Sequence, residues 1–445
     1  MFDLTNFTPW VFFTDAGFIC ALLLVGKFLR VKVRFIQKLF IPPSLLAGLL
    51  GLIFGPNGLG WIPLSDNIGT YSAILIAVVF GALPFSSPRF KVKEVARRVG
   101  PMWAYSQFGM LFQWAVMGLF GLLVLRLIWP ELNPAFGVML PTGFYGGHGT
   151  AAAIGEAFAK YGAEDIQTLA MTAATVGIIA SVVIGLWVTR TGSERGWTAY
   201  LSRFSDLPPE LRSGILPDER RVSMGKAAFS AISLDSMTFN FGVVALIALA
   251  GYGISQAVAA LWPALMLPVF SCAFLAGILI RGLLRKSGAD TYLSKPIIGH
   301  LSGAFTDYLV AFGVASIKLE VVWRYIVPLS ILLVAGLVCT FLYVFLLGRR
   351  FHQTSWFEKS VFTWGWFTGT MAMGIALLRI TDPDSRSGCL DDYAYAYLYI
   401  APVEIALVTF APVCFTRGAG GWFAIGCALA GLIILLVSRK RGWLR

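Results

Sequence analysis

Charge is scarce in this chain. Asp, Glu, Lys and Arg make up 13% of its 445 residues, where a soluble domain carries about a quarter. With 57% of residues hydrophobic, that shortage excludes a soluble globular domain and leaves a polytopic membrane protein. Cysteine is sparse as well: six residues scattered singly, five of them (Cys20, Cys272, Cys339, Cys414 and Cys427) inside apolar segments. Such usage excludes a disulfide framework and a zinc site. Acidic residues are outnumbered, 23 against 35 Lys and Arg. The net charge of +12 does not read as a nucleic-acid surface, because the basic residues lie between apolar runs rather than on one face. Met1 to Pro9 holds no basic residue, so the start lacks the pattern of a cleavable signal peptide. No Walker A, Gly-x-Ser-x-Gly, His-Glu-x-x-His or well-placed Ser/Lys pair occurs, so neither an enzyme nor a bound cofactor is expected.

What is abundant is apolar sequence long enough to cross a bilayer, which takes about 20 helical residues. Spans are expected near 10–29, 40–58, 69–87, 99–128 and 168–190, then 227–251, 261–282, 297–317, 324–347 and 393–413, with an eleventh at 420–438. The glycine-rich stretches 134–158 and 357–380 read as re-entrant hairpins. Basic residues then fall on alternate loops. Lys27 to Lys38, Arg89 to Arg98, Arg190 to Lys226, Arg281 to Lys286, Arg349–Arg350 and Arg439 to Arg441 share one side, and few (Lys160, Lys318, Arg324, Arg417) lie on the other. The positive-inside rule makes the first side cytoplasmic, with the N-terminus outside and the C-terminus inside.

Three pairs recur 220 positions apart: Asp15 and Asp235, read as opening the first helix of each half, Pro43 and Pro263 opening the second, and Thr150 and Thr370 in the hairpins. Five crossings per half, an odd number, would insert the second copy upside down. The expected fold is therefore all-α, with two inverted repeats (1–190 and 227–413), a polar cytoplasmic linker at 191–226 and an extra helix at 420–438. Gly48, Gly51 and Gly55 suit close helix contact, either within the chain or at a dimer interface.

Helix-breaking residues at membrane depth free backbone groups that lipid cannot satisfy, so a break lines a protein-enclosed cavity. Matching breaks in two halves mark a transporter's binding site. The first contains Thr142, Gly146, Gly147, His148, Gly149 and Thr150, and the second Thr368, Gly369 and Thr370. Glycines let the backbone approach a ligand, and a following helix presents its N-terminal amides to an anion. The Gly-His-Gly-Thr run is no dinucleotide fingerprint, since no strand precedes it. His148 has two readings, as a proton relay or donor to a substrate carboxylate, or as a group satisfying hairpin carbonyls.

The run Gly146 to Ala153, GGHGTAAA, closely resembles the signature of the bacterial glutamate:sodium symporter family, and the resemblance covers most of the chain. It implies a sodium-coupled carrier in a bacterial inner membrane, a fold similar to that of the 2-hydroxycarboxylate transporters, and homodimers embedded in lipid. It also implies that hairpin-bearing transport domains move against a fixed scaffold, an elevator arrangement. The second break here is bulkier, with Trp364, Trp366 and Phe367, and the eleventh span is additional.

Intramembrane carboxylates are functional candidates by default. Asp307 and Glu404, with hydroxyls from Thr368 and Thr370, are the expected Na⁺ cage. Arg379 suits a bidentate clamp on a substrate carboxylate. It also suits a positive-inside anchor, or a partner for Asp382 or Asp384. The expected function is sodium-coupled import of glutamate or a related small carboxylate. The alternative is proton-coupled transport or exchange of a dicarboxylate or other organic anion. An ion channel fits poorly, because channels usually assemble filters from several subunits.

Overall fold

The computed structural model describes residues 7–38, 41–86, 92–200, 215, 218–221, 223–225, 228–229, 232–262, 267–382 and 386–444. Among these there is no strand. The first half contributes α1 (Pro9–Lys32), α2 (Pro43–Phe54), α3 (Ile68–Ser86), α4 (Val92–Phe120), α5 (Met139–Phe144), α6 (Gly147–Ala159) and α7 (Asp165–Glu194). The second contributes α8 (Ser236–Leu261), α9 (Val269–Ser287), α10 (Lys295–Ala315), α11 (Ile326–Leu342), α12 (Trp356–Thr368), α13 (Met371–Thr381) and α14 (Cys389–Thr416), and α15 (Gly420–Lys440) closes the chain. Nine helices among the described residues are long and apolar enough to cross a membrane, and α2 is shorter.

Helix ends follow local chemistry. Proline suits a first helical position because its missing N–H has no partner there. Pro43 accordingly starts α2, and Gly55 ends it, so the expected span at 40–58 shrinks to twelve residues. The Asp235 carboxylate accepts from the amides of Met237 and Thr238 at 2.8 and 3.2 Å. That cap fixes the start of α8 at Ser236, nine residues beyond the expected 227, since a capping carboxylate holds its own residue outside the helix. Asp15, expected to play the matching part, instead lies inside α1. The N-cap residues Gly146 and Thr370 are 224 positions apart, and so are Glu164 and Gly388. Pro263 lies outside the described residues.

Contacts divide the chain into two compact units. The first comprises Met1–Leu29, Pro42–Arg89 and Ile215–Ile317, and the second Arg30–Ile41, Phe90–Gly214 and Lys318–Arg445. Each half of the chain thus gives its first three helices to one unit and the remainder to the other.

In the first unit, α2 lies directly on α10. A Cβ on Gly48 would stand 2.6 Å from Val314 Cβ, and one on Gly51 2.8 Å from Ala315 Cβ. The Gly48/Gly51 pair therefore serves packing within the chain. Ile19, Ala47, Tyr71 and Phe312 fill the core beside this contact. Asp15 is fully buried there and accepts three hydrogen bonds, from Ser65 N (2.8 Å), Ser65 Oγ (2.5 Å) and Tyr71 Oη (2.9 Å).

In the second unit, α7 backs both breaks. A Cβ on Gly177 would stand 2.1 Å from Thr368 O and 2.9 Å from the Phe144 ring. Ser181 Oγ donates to Gly365 O at 3.2 Å, and Trp364 Nε1 donates to Ser181 O at 3.1 Å. α12 and α13 fold back on each other, with Gly365 so close to Gly374 that a Cβ would stand 2.6 Å from its Cα.

Candidate functional site

The site is built on two chain breaks in the second unit. After α5 the chain turns at Tyr145 and Gly146, and α6 restarts at Gly147 with φ +60°. A side chain is strained in that left-handed conformation, which is why glycine stands there. No side chain caps α6. The second break is Gly369 and Thr370, both out of helical conformation, and the Thr370 hydroxyl accepts from Met373 N at 3.4 Å as the cap of α13.

The two breaks touch. A Cβ on Gly147 would stand 2.9 Å from Thr370 Cγ2 and 3.0 Å from Gly369 O. Two helix N-termini, those of α6 and α13, therefore adjoin. Each carries roughly half a positive charge from its unpaired amides, so together they form a seat for an anion.

A carboxylate already lies at that seat. Glu404, buried on α14 and two residues beyond the helix-interior Pro402, accepts from Thr150 Oγ1 at 3.0 Å and from Tyr397 Oη at 3.4 Å. A Cβ on Gly146 would stand 3.0 Å from Glu404 Oε1 and 1.5 Å from Thr150 Oγ1, so only glycine admits this approach. Aromatic rings wall the cluster. Tyr145 packs on Trp366 (4.7 Å between centroids) and Phe367 (5.2 Å), Trp366 on Tyr393 (4.6 Å), and Tyr393 on Tyr397 (5.6 Å). The hydroxyls of Tyr145 and Tyr393 are buried without a hydrogen-bond partner among the described residues.

The structure thus brings together Gly146, Gly147, Thr150, Gly369, Thr370 and Glu404. Gly149 lies in the first turn of α6, half-buried. His148 is buried, and its Nε2 meets Thr175 Oγ1 of α7 at 3.0 Å rather than a hairpin carbonyl. Thr175 donates its own proton to Met171 O, so the imidazole is the donor to Thr175, which leaves a buried Nδ1 without partner among the described residues. Thr142 and Thr368 are fully buried, and their hydroxyls donate to carbonyls of the preceding turn, Val138 and Met139 for the one and Trp364 for the other. Arg379 is exposed near the end of α13. Asp382 accepts from the amides of Arg386 and Ser387, both at 2.8 Å, and Asp384 lies outside the described residues. Asp307 belongs to the first unit, exposed on α10.

Sequence reasoning missed the tyrosines. Tyr393, Tyr397 and Glu404 are spaced i, i+4 and i+11, which sets all three on one helix face. That spacing was the available signal.

A family model described as the sodium/glutamate symporter matches residues 14–371. It takes in both breaks to the first residue of α13, while Arg379, Glu404 and α15 lie beyond it. Among curated proteins none matches. Among solved structures, that of the sodium proton antiporter MjNhaP1 from Methanocaldococcus jannaschii is similar, with a TM-score of 0.40 and 17% sequence identity over 96% of this chain and 99% of that one.

Proposed function

The chain belongs to the sodium/glutamate symporter family, and on that premise we propose that it imports glutamate or a related small carboxylate together with Na⁺. One observation carries the reading: two helix N-termini meet beside a buried carboxylate, Glu404, at 3.0 Å from Thr150. The amides suit the substrate carboxylate. Glu404, the hydroxyls of Thr150 and Thr370 and the carbonyl of Gly369 are oxygens suited to Na⁺.

Coupling follows from charge. An empty seat attracts Glu404, whose side chain stands in for the substrate's carboxylate. Na⁺ draws Glu404 into its own coordination and leaves the amides to the incoming anion, so each ligand favours the other. The second unit, which holds both breaks, carries the load, and the first unit, with three helices from each half, is the scaffold of an elevator. The halves are inverted repeats, the N-terminus lies outside a bacterial inner membrane and the C-terminus inside, and two copies pair. Arg379 clamps the substrate carboxylate.

A second reading has its own support. Among the described residues the partners of Glu404 are two hydroxyls and no cationic side chain, an environment that also suits a carboxyl carrying a proton. Uptake of labelled L-glutamate into proteoliposomes, under an inward Na⁺ gradient and then in choline under an inward proton gradient, separates them. Accumulation in Na⁺ alone supports symport with Na⁺, and accumulation in choline replaces it with proton coupling.

A further inference from the structure

A polar cavity opens in the second unit, away from the chain breaks. Its volume is about 450 Å³, and His352, Thr354, Lys359, Ser387, Asp392 and Trp443 contribute to its walls. Asp392 and Glu404 lie twelve residues apart on α14, about 18 Å along the helix. At one wall Lys359 Nζ and Asp392 Oδ2 pair at 3.0 Å, with side chains only 12% and 10% exposed. His352 is buried, edge-on to the Tyr105 ring at 4.8 Å, and its Nε2 has no hydrogen-bond partner among the described residues. Ser387 Oγ accepts from Cys389 N at 3.2 Å, which leaves its proton to donate.

The opposite wall comes from the C-terminal tail. Gly442, at φ +71°, turns the chain back at the end of α15, and Trp443 N donates to Ser438 O at 2.8 Å. The indole then lies on α4 so closely that a Cβ on Gly100 would stand 2.3 Å from it. α15 and its tail, like α14, lie beyond the residues that match the family model.

We propose that this cavity binds a small amino acid as its zwitterion. The charged lining is balanced, one ammonium and one carboxylate side by side. A zwitterion completes that pair as a four-charge square, its amine against Asp392 and its carboxylate against Lys359, with Ser387 and His352 adding neutral hydrogen bonds. A phosphate or other simple anion would face the Asp392 carboxylate. The cavity opens on the side that carries Arg349 and Arg350, cytoplasmic in the orientation proposed above. Occupancy there links α12 of the second hairpin, α14 and the tail, and so lets the internal amino-acid pool restrain hairpin movement.

The test is calorimetric titration of L-alanine into the purified full-length protein in choline buffer without Na⁺, and of L-glutamate in Na⁺. Wild type is expected to bind without Na⁺. Thr354→Trp, which fills the cavity from an exposed position, and Lys359→Met are expected to weaken that binding about tenfold or more. The heat of L-glutamate seen in Na⁺ persists in Thr354→Trp. No binding by wild type in choline, or Na⁺-free binding unchanged in Thr354→Trp, overturns the proposal. Loss of the Na⁺-dependent heat alone counts against the transport reading and leaves this site standing.

Discussion

The hydroxyl of Thr150 donates to Glu404 Oε1 at 3.0 Å, joining the first chain break to α14 across 254 positions of sequence. Thr150→Val keeps the shape and removes the donor, leaving Glu404 with Tyr397 at 3.4 Å. In the proposed site this hydroxyl is also one of the Na⁺ ligands, so its loss is expected to raise the Na⁺ concentration for half-maximal uptake. A kinetic series in Na⁺ measures it, and an unchanged value contradicts the assignment.

Gly147 and Gly421 form a matched pair of tests. Gly147→Ala places a Cβ in a left-handed backbone, which costs about 1–2 kcal/mol, and drives it to 2.9 Å from Thr370 Cγ2. The breaks must separate, so uptake is expected to fall at least as steeply as thermal stability. A Cβ on Gly421, on α15, meets nothing within 4 Å, and Gly421→Ala is expected to leave uptake intact. Melting curves and initial rates on both variants check this.

Asp15 is a structural carboxylate. Its three donors, two from Ser65 and one from Tyr71, leave no place for an amide N–H₂, so Asp15→Asn is expected to destabilise the first unit by about 2–3 kcal/mol. The melting midpoint falls, while glutamate affinity measured well below it stays unchanged. A selective loss of affinity would make Asp15 part of the transport pathway.

Acid stability tests His352, which follows the span Ile326–Phe351. Burial first, and then the neighbouring Lys359 charge, lower its pKa to about 3. The unfolded imidazole titrates near 6.5. Between these values the unfolded chain binds the extra proton, so the contribution of a neutral His352 is complete above about pH 6.5 and is lost as pH falls towards 3. His352→Phe is expected to flatten the fall of melting temperature over that interval.

Much of this architecture is legible in sequence because lipid imposes simple rules. Long apolar runs mark α1, α4, α7 and α11, and the glycines of 146–149 and 369 mark the breaks, since nothing else reconciles a chain break with membrane depth. Glu404 stands out because a buried carboxylate is expensive. Errors arise where one side chain overrides hydropathy. The Asp235 cap delays α8 within an apolar stretch, and Asp15 lies inside α1 rather than at its start. The partners of Glu404 and His148 are contacts between segments remote in sequence, Thr150 with α14 and His148 with Thr175 of α7. Periodicity carries no information on such pairings.

The most direct test of the transport account is the initial rate of radiolabelled L-glutamate uptake into proteoliposomes, measured against Na⁺ for wild type and Glu404→Gln. The account predicts Na⁺-driven accumulation by wild type and its loss in a Glu404→Gln protein that still folds and melts cooperatively. Accumulation by wild type without Na⁺, or an unchanged Na⁺ dependence in Glu404→Gln, would contradict it.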